Sequence, residues 1–121
     1  MKLWEQVEEK LKIEDILSFA GLSFQEEYSF PDLISSSGRP LRFDFVVFDD
    51  DGEIDFLIEY QGIQHYEAKS KFDGAKGLYQ QKYNDAQKRK YCLEYGYKLI
   101  TIPYLDEAIL NYNYIMKAAG Y

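Results

Sequence analysis

The sequence predicts a single α/β domain ordered α-β-β-β-α-β-α, its mixed four-stranded sheet flanked by helices. Three observations lead there. Two β-rich runs, 41–48 and 54–60, flank the acidic turn Asp49-Asp50-Asp51-Gly52-Glu53, a hairpin signal. A helix-forming stretch at 78–95 then separates the second run from another apolar strand at 97–102, which suits a parallel, right-handed crossover. Amphipathic stretches occupy both ends. With 121 residues, 46% of them hydrophobic, the chain is one domain with a real core.

Each element has its own signal. Over 2–20, Leu3, Trp4, Val7, Leu11, Ile16 and Ala20 recur at helical spacing, and Gly21 is a stop. Leu22 to Tyr28 tends to alternation and predicts a first strand. Phe30-Pro31-Asp32 and 35–40 have loop composition. The acidic hairpin tip reads as a solvated turn, since the ligand spacing of a calcium loop is missing. Residues 66–77 lack a period and predict a loop beside the third strand. In the helix 78–95, Tyr79, Tyr83, Ala86 and Leu93 favour one face, and Gly96 ends it. Asp106 is the expected cap of a last helix through Ala119, with Ile109, Leu110, Tyr112 and Met116 inward.

Composition narrows the function. No apolar run is long enough to span a membrane, and the first residues lack a leader's apolar core. A single cysteine, Cys92, fits a cytoplasmic setting and reads as a buried small apolar residue. The net charge of −7 opposes non-specific DNA binding. That charge is uneven. Residues 1–60 hold 5 basic and 15 acidic residues, whereas 69–98 hold 8 basic and 3 acidic ones. A local basic segment of this kind suits a nucleic-acid substrate, with affinity that is weak or supplied by a partner.

The chemistry concentrates in two strands. Arg42-Phe43-Asp44-Phe45 and Ile58-Glu59-Tyr60-Gln61 each place a carboxylate where an apolar strand needs none. Strict alternation puts Phe43, Phe45 and Val47 on one face and Asp44 and Val46 on the other. A register bringing Asp44 beside Glu59 makes a compact site for magnesium, which prefers carboxylate and water oxygens. The carbonyl of Tyr60 is a natural third oxygen. Gln61 is no base but can hold a water or a phosphate oxygen. His65, the only histidine, suits proton transfer or a phosphate contact. Plainer readings stand beside these. Asp44 could pair with Arg42 or Arg39, Glu59 could be an edge charge that blocks aggregation, and His65 could be structural. The tyrosines resemble a stacking platform but mostly sit at core-facing spacing.

Four segments together, namely 42–45, Ile58-Glu59-Tyr60-Gln61-Gly62-Ile63-Gln64-His65-Tyr66, Tyr83-Asn84-Asp85-Ala86-Gln87-Lys88 and 99–104, resemble the restriction-endonuclease-like (PD-(D/E)XK) superfamily. More narrowly, they are similar to its very-short-patch-repair-like and homing-endonuclease branch, common in phages and mobile elements. The resemblance covers about 22–104 and implies an α-β-β-β-α-β core, here with an extra C-terminal helix. It implies a Mg2+- or Mn2+-dependent DNA endonuclease of nicking or homing type, with Asp44 and Glu59 at the metal. It puts Gln61 where many members carry a lysine that handles the nucleophilic water. It makes His65 functional, matches Asp85 and Lys88 to a recurrent helix pair, and offers Glu9 or Glu14 as a first-helix acid. Lys69, Lys71, Lys76, Lys82 and Lys88 would lie along DNA, with a homodimer or a separate partner choosing the target. The competing expectation is a nuclease fold kept as a catalytically silent binding or regulatory module.

Overall fold

The computed structural model describes the backbone of residues 3–62 and 74–121, and the side chains of 9–62, 77 and 79–121. The elements are α1 (Leu3–Phe19), β1 (Ser23–Ile34), β2 (Pro40–Phe48), β3 (Ile54–Gln61), α2 (Gly74–Tyr95), β4 (Leu99–Pro103), a 3-10 segment (Tyr104–Ile109) and α3 (Tyr112–Ala118). The sheet is mixed, in the order β1-β2-β3-β4. Its first three strands are antiparallel, and β4 runs parallel to β3 after the helical crossover. The expected α/β class and strand order are therefore present. No helix among the described residues is long and apolar enough to cross a membrane.

Two apolar layers sandwich the sheet. On one face Ile13 and Leu17 of α1, and Leu110, Ile115 and Ala119 near α3, pack on Phe45, Val47, Phe56, Ile58, Tyr60 and Ile102. On the other, Tyr91 and Cys92 of α2 pack on Val46, Leu57, Phe43 and the β1 residues Phe30 and Leu33. Cys92 is buried, and burial foremost pushes its thiol up to about 11. A thiol so raised is an inert packing group.

Several sequence expectations are corrected. The inward row of α1 is Ile13, Ile16 and Leu17, while Leu11 is about half exposed. The inward residues of α2 are Tyr91 and Cys92, while Tyr79, Tyr83 and Leu93 face solvent. β1 continues through Phe30-Pro31-Asp32 to Ile34; it is an edge strand whose pairing with β2 is irregular between Ser29 and Ile34, and both features tolerate a proline. The C-terminal segment splits in two. Asn111, not Asp106, caps α3 by accepting from the Tyr114 N–H at 2.8 Å, while Asp106 accepts from the Tyr114 hydroxyl at 2.6 Å. Ile109 and Tyr112 are exposed, and Ile115 and Ala119 take the buried places.

The hairpin tip is a plain turn. Asp49 Oδ1 accepts from the N–H groups of Asp51 and Glu53 at 2.9 and 3.0 Å, and Gly52 supplies the positive φ of 81°. The carboxylate serves its own backbone, as an Asx turn does.

Candidate active site

The site arises where the β2–β3 ladder stops. Its last regular pair on this side is Phe45 with Ile58. Continuing that register sets Asp44 opposite Glu59, and the side chains replace the lost rungs. The Asp44 N–H donates to Glu59 Oε1 at 3.2 Å, and the Tyr60 N–H donates to Asp44 Oδ2 at 2.7 Å. Charge-assisted bonds to backbone amides are strong enough to hold a strand end in place of a ladder bond. The two acids are thus fixed to each other through the main chain, and the Tyr60 peptide is fixed with them.

The β1 side is irregular at the same level. Glu26 pairs with Phe45 and Tyr28 with Phe43, while Glu27 between them has a φ of 52°, in the left-handed region. A glutamate there is strained by roughly 1 kcal/mol or more. Simple alternation fails here: Phe45 packs toward α1, whereas Phe43 packs with Val46 toward α2. The expected face assignment of Phe43 and Asp44 is corrected accordingly.

Each acid then meets a lysine from a different helix. Lys10 Nζ of α1 lies 2.9 Å from Asp44 Oδ1, and Lys88 Nζ of α2 lies 3.1 Å from Glu59 Oε1. A run of alternating charge, Lys10–Asp44–Glu59–Lys88, therefore passes through the splayed end of the sheet. Lys88 also stands over the Phe43 ring, 5.5 Å from its centroid, a cation–π contact. Glu59 is the one buried charged residue among those described. Burial foremost pushes its carboxyl up to about 8. Lys88 pulls against that shift, and Asp44 and Asp85 add to it. For Lys10, burial alone would lower the ammonium. Asp44, by charge and hydrogen bond, outweighs it with help from Glu27 and Glu59, and the net shift is upward.

The surroundings divide in the same way. Beside Asp44 a pocket of about 230 Å3 is lined by Lys10, Leu11, Glu14, Glu26 and Glu27. Glu14 hydrogen-bonds Glu26 across it, which holds the Glu26 carboxyl above its usual value. Beside Glu59 a narrow crevice is lined by Gln61, Asp85, Lys88, Arg89 and Thr101. Glu9 precedes Ile13 by one turn, and its Oε2 is buried without a hydrogen-bond partner among the described residues.

Of the sequence-predicted site, Asp44, Glu59, Tyr60 and Gln61 come together. Lys88, expected along the nucleic acid, is instead turned inward onto Glu59, and this is a correction. Lys82 is exposed, and Lys76 lies within the backbone of α2. His65, Lys69 and Lys71 lie outside the described residues. Sequence reasoning missed Lys10. Its signal was its place one turn before Ile13 and Glu14, on the edge of the true inward row.

Among the described residues, no group of three or more His, Cys, Asp or Glu is arranged to hold a metal ion. Comparison with known proteins gives one sequence relative. A segment of 57 residues, 46% of this chain, is 46% identical to "Uncharacterized protein 094L" of Frog virus 3 (isolate Goorha). The match spans 37% of that protein's length. No family model and no solved structure matches the chain.

Proposed function

We propose that this protein is a metal-dependent DNA endonuclease of the restriction-endonuclease-like class, acting in the cytoplasm of its host cell. The observation that carries the reading is the pair of carboxylates facing each other across a splayed strand end. Few folds need two acids there, since a hairpin would close its ladder with backbone bonds alone. The viral relative suits a gene carried by a virus or mobile element.

Asp44 and Glu59 would supply part of a divalent ion's ligand set. Asp44 and Glu59 offer hard oxygens, the Tyr60 peptide is fixed beside them, and the orphaned Glu9 oxygen sits on the helix that carries Lys10. When bound, magnesium or manganese would neutralise phosphate charge and acidify a water. Asp44 and Glu59 would hold that ion. Gln61 has no charge to offer a nucleophile, and Lys88 brings an ammonium to Glu59 from α2 instead. It would steady negative charge growing on the phosphate. Dimerisation or a separate protein would choose the target.

A second reading, a catalytically silent nuclease fold that binds or regulates another protein, has its own support. Each acid already has a lysine partner, so both are occupied without a metal.

Supercoiled-plasmid nicking with Mg2+, Mn2+ or EDTA separates the two. The endonuclease reading expects metal-dependent nicking that drops at least about a hundredfold in both Asp44→Asn and Glu59→Gln. Magnesium should also raise the wild-type melting temperature and leave both variants unmoved. Wild-type protein that neither cuts DNA or RNA nor responds thermally to metal would hand the case to the second reading.

A further inference from the structure

The two ends of α2 treat their tyrosines differently. Near its C-terminus the Tyr91 and Tyr95 rings pack with centroids 4.5 Å apart, and both hydroxyls donate to Asp32, at 2.6 and 3.3 Å. Near its N-terminus Tyr79 is 71% exposed and Tyr83 44%. Neither makes a ring contact or hydrogen bond among the described residues. At 1.5 Å of rise per residue the two rings stand about 6 Å apart along the helix, on one side of it. Lys82 and Lys90 are exposed on this side of the helix and form no ion pair among the described residues, while Arg89 turns toward the crevice beside Glu59. Lys88, half a turn of the helix wheel away, points inward.

In a chain of net charge −7, this is a locally cationic face carrying flat aromatic rings. A polyanion meets least repulsion there. Free tyrosine faces are matched by unpaired bases, which a duplex keeps stacked inside itself. We propose that the outer face of α2 binds single-stranded nucleic acid. Tyr79 and Tyr83 stack on unpaired bases, and Lys82 and Lys90 meet phosphates. The proposal rests on the nuclease reading for the ligand class and deepens it by naming single strands as the preferred form.

Fluorescence anisotropy in EDTA tests it, with a labelled oligothymidylate, an oligouridylate and a duplex of equal length. Single strands should bind about tenfold or more tightly than duplex. Tyr79→Ala and Tyr83→Ala should each weaken single-strand binding about tenfold and leave duplex binding unchanged. The Tyr→Phe versions, which keep the ring, should bind like wild type. Lys90→Ala should flatten the salt dependence by about one phosphate contact. The preference between the two oligomers tells whether DNA or RNA is the natural strand. Duplex binding as tight as single-strand binding, or alanine variants that bind like wild type, would overturn the proposal. No cutting occurs in EDTA, so an inert plasmid assay leaves this result standing, and loss of binding here leaves the plasmid assay standing.

Discussion

Lys88–Glu59 and Lys10–Asp44 are the same chemical contact at nearly the same length, 3.1 and 2.9 Å, in two settings. In the first pair the side chains are 12% and 8% exposed, and in the second 37% and 12%. The difference shows that contact length does not set the energetics. Inside, the cost of stripping water from Glu59 exceeds what Lys88 returns, and the acid's pKa rises to about 8. At the rim, Lys10 keeps enough water that Asp44 wins and the ammonium is held charged.

Removing the inner lysine should have the largest effect. Lys88→Met keeps the aliphatic bulk over Phe43 and leaves Glu59 buried without a counter-charge. Breaking one side of a buried pair costs about 3–5 kcal/mol, and here the cost should be full near pH 9. Near pH 6 Glu59 takes up a proton, and the loss should shrink by half or more. Urea denaturation at the two pH values measures this. An equal loss at both would mean that Lys88 acts through packing and not through charge.

The pH dependence of the wild type is the next test. Glu59 has an ordinary pKa of 4.5 and a folded value of about 8. Between those values the folded chain binds a proton that the unfolded chain has released. Stability from this group is therefore full below about pH 4.5 and is lost as the pH rises through about 8. The melting temperature should fall across that window, for a change on the order of a few kcal/mol. Glu59→Gln, neutral throughout, should flatten the slope. A wild-type melting temperature that climbs from pH 5 to 8 would show that Lys88 outweighs burial after all.

These partners explain what could be read in advance. Asp44 and Glu59 were legible because their signal is local. Each is an acid in a run of strand-forming residues. That they face each other was not fixed by the turn, because an irregularity between Val47 and Phe48 shifts the β2–β3 register by one residue. The fold order was legible because its signals are local too. The lysines were not, because they depend on how two helices are rotated about their axes. Apolar patterning turned α2 toward Tyr79, Tyr83 and Leu93, whereas its true inward row includes the charged Lys88 beside Tyr91 and Cys92. A helix that buries a lysine to meet a buried acid hides its core face from any hydrophobicity count. The break in alternation at Phe43 was invisible too, since it depends on Glu27 of a different strand.

The smallest effect should come from the outer pair. Lys10→Met removes a half-exposed partner, and such pairs contribute about 0.2–1 kcal/mol. Asp44 is itself only 12% exposed, but it keeps the bond from the Tyr60 N–H when the ammonium is gone. Salt should distinguish the two lysines further. In 1 M sodium chloride the screening length is about 3 Å, and the cost of Lys10→Met should vanish, whereas that of Lys88→Met should persist. Urea midpoints at low and high salt give both numbers. A Lys10→Met loss that survives high salt and rivals the inner pair would mean that Asp44 is as poorly solvated as Glu59. The charge run would then be one buried unit from α1 to α2, and a divalent ion could enter only by displacing both lysines.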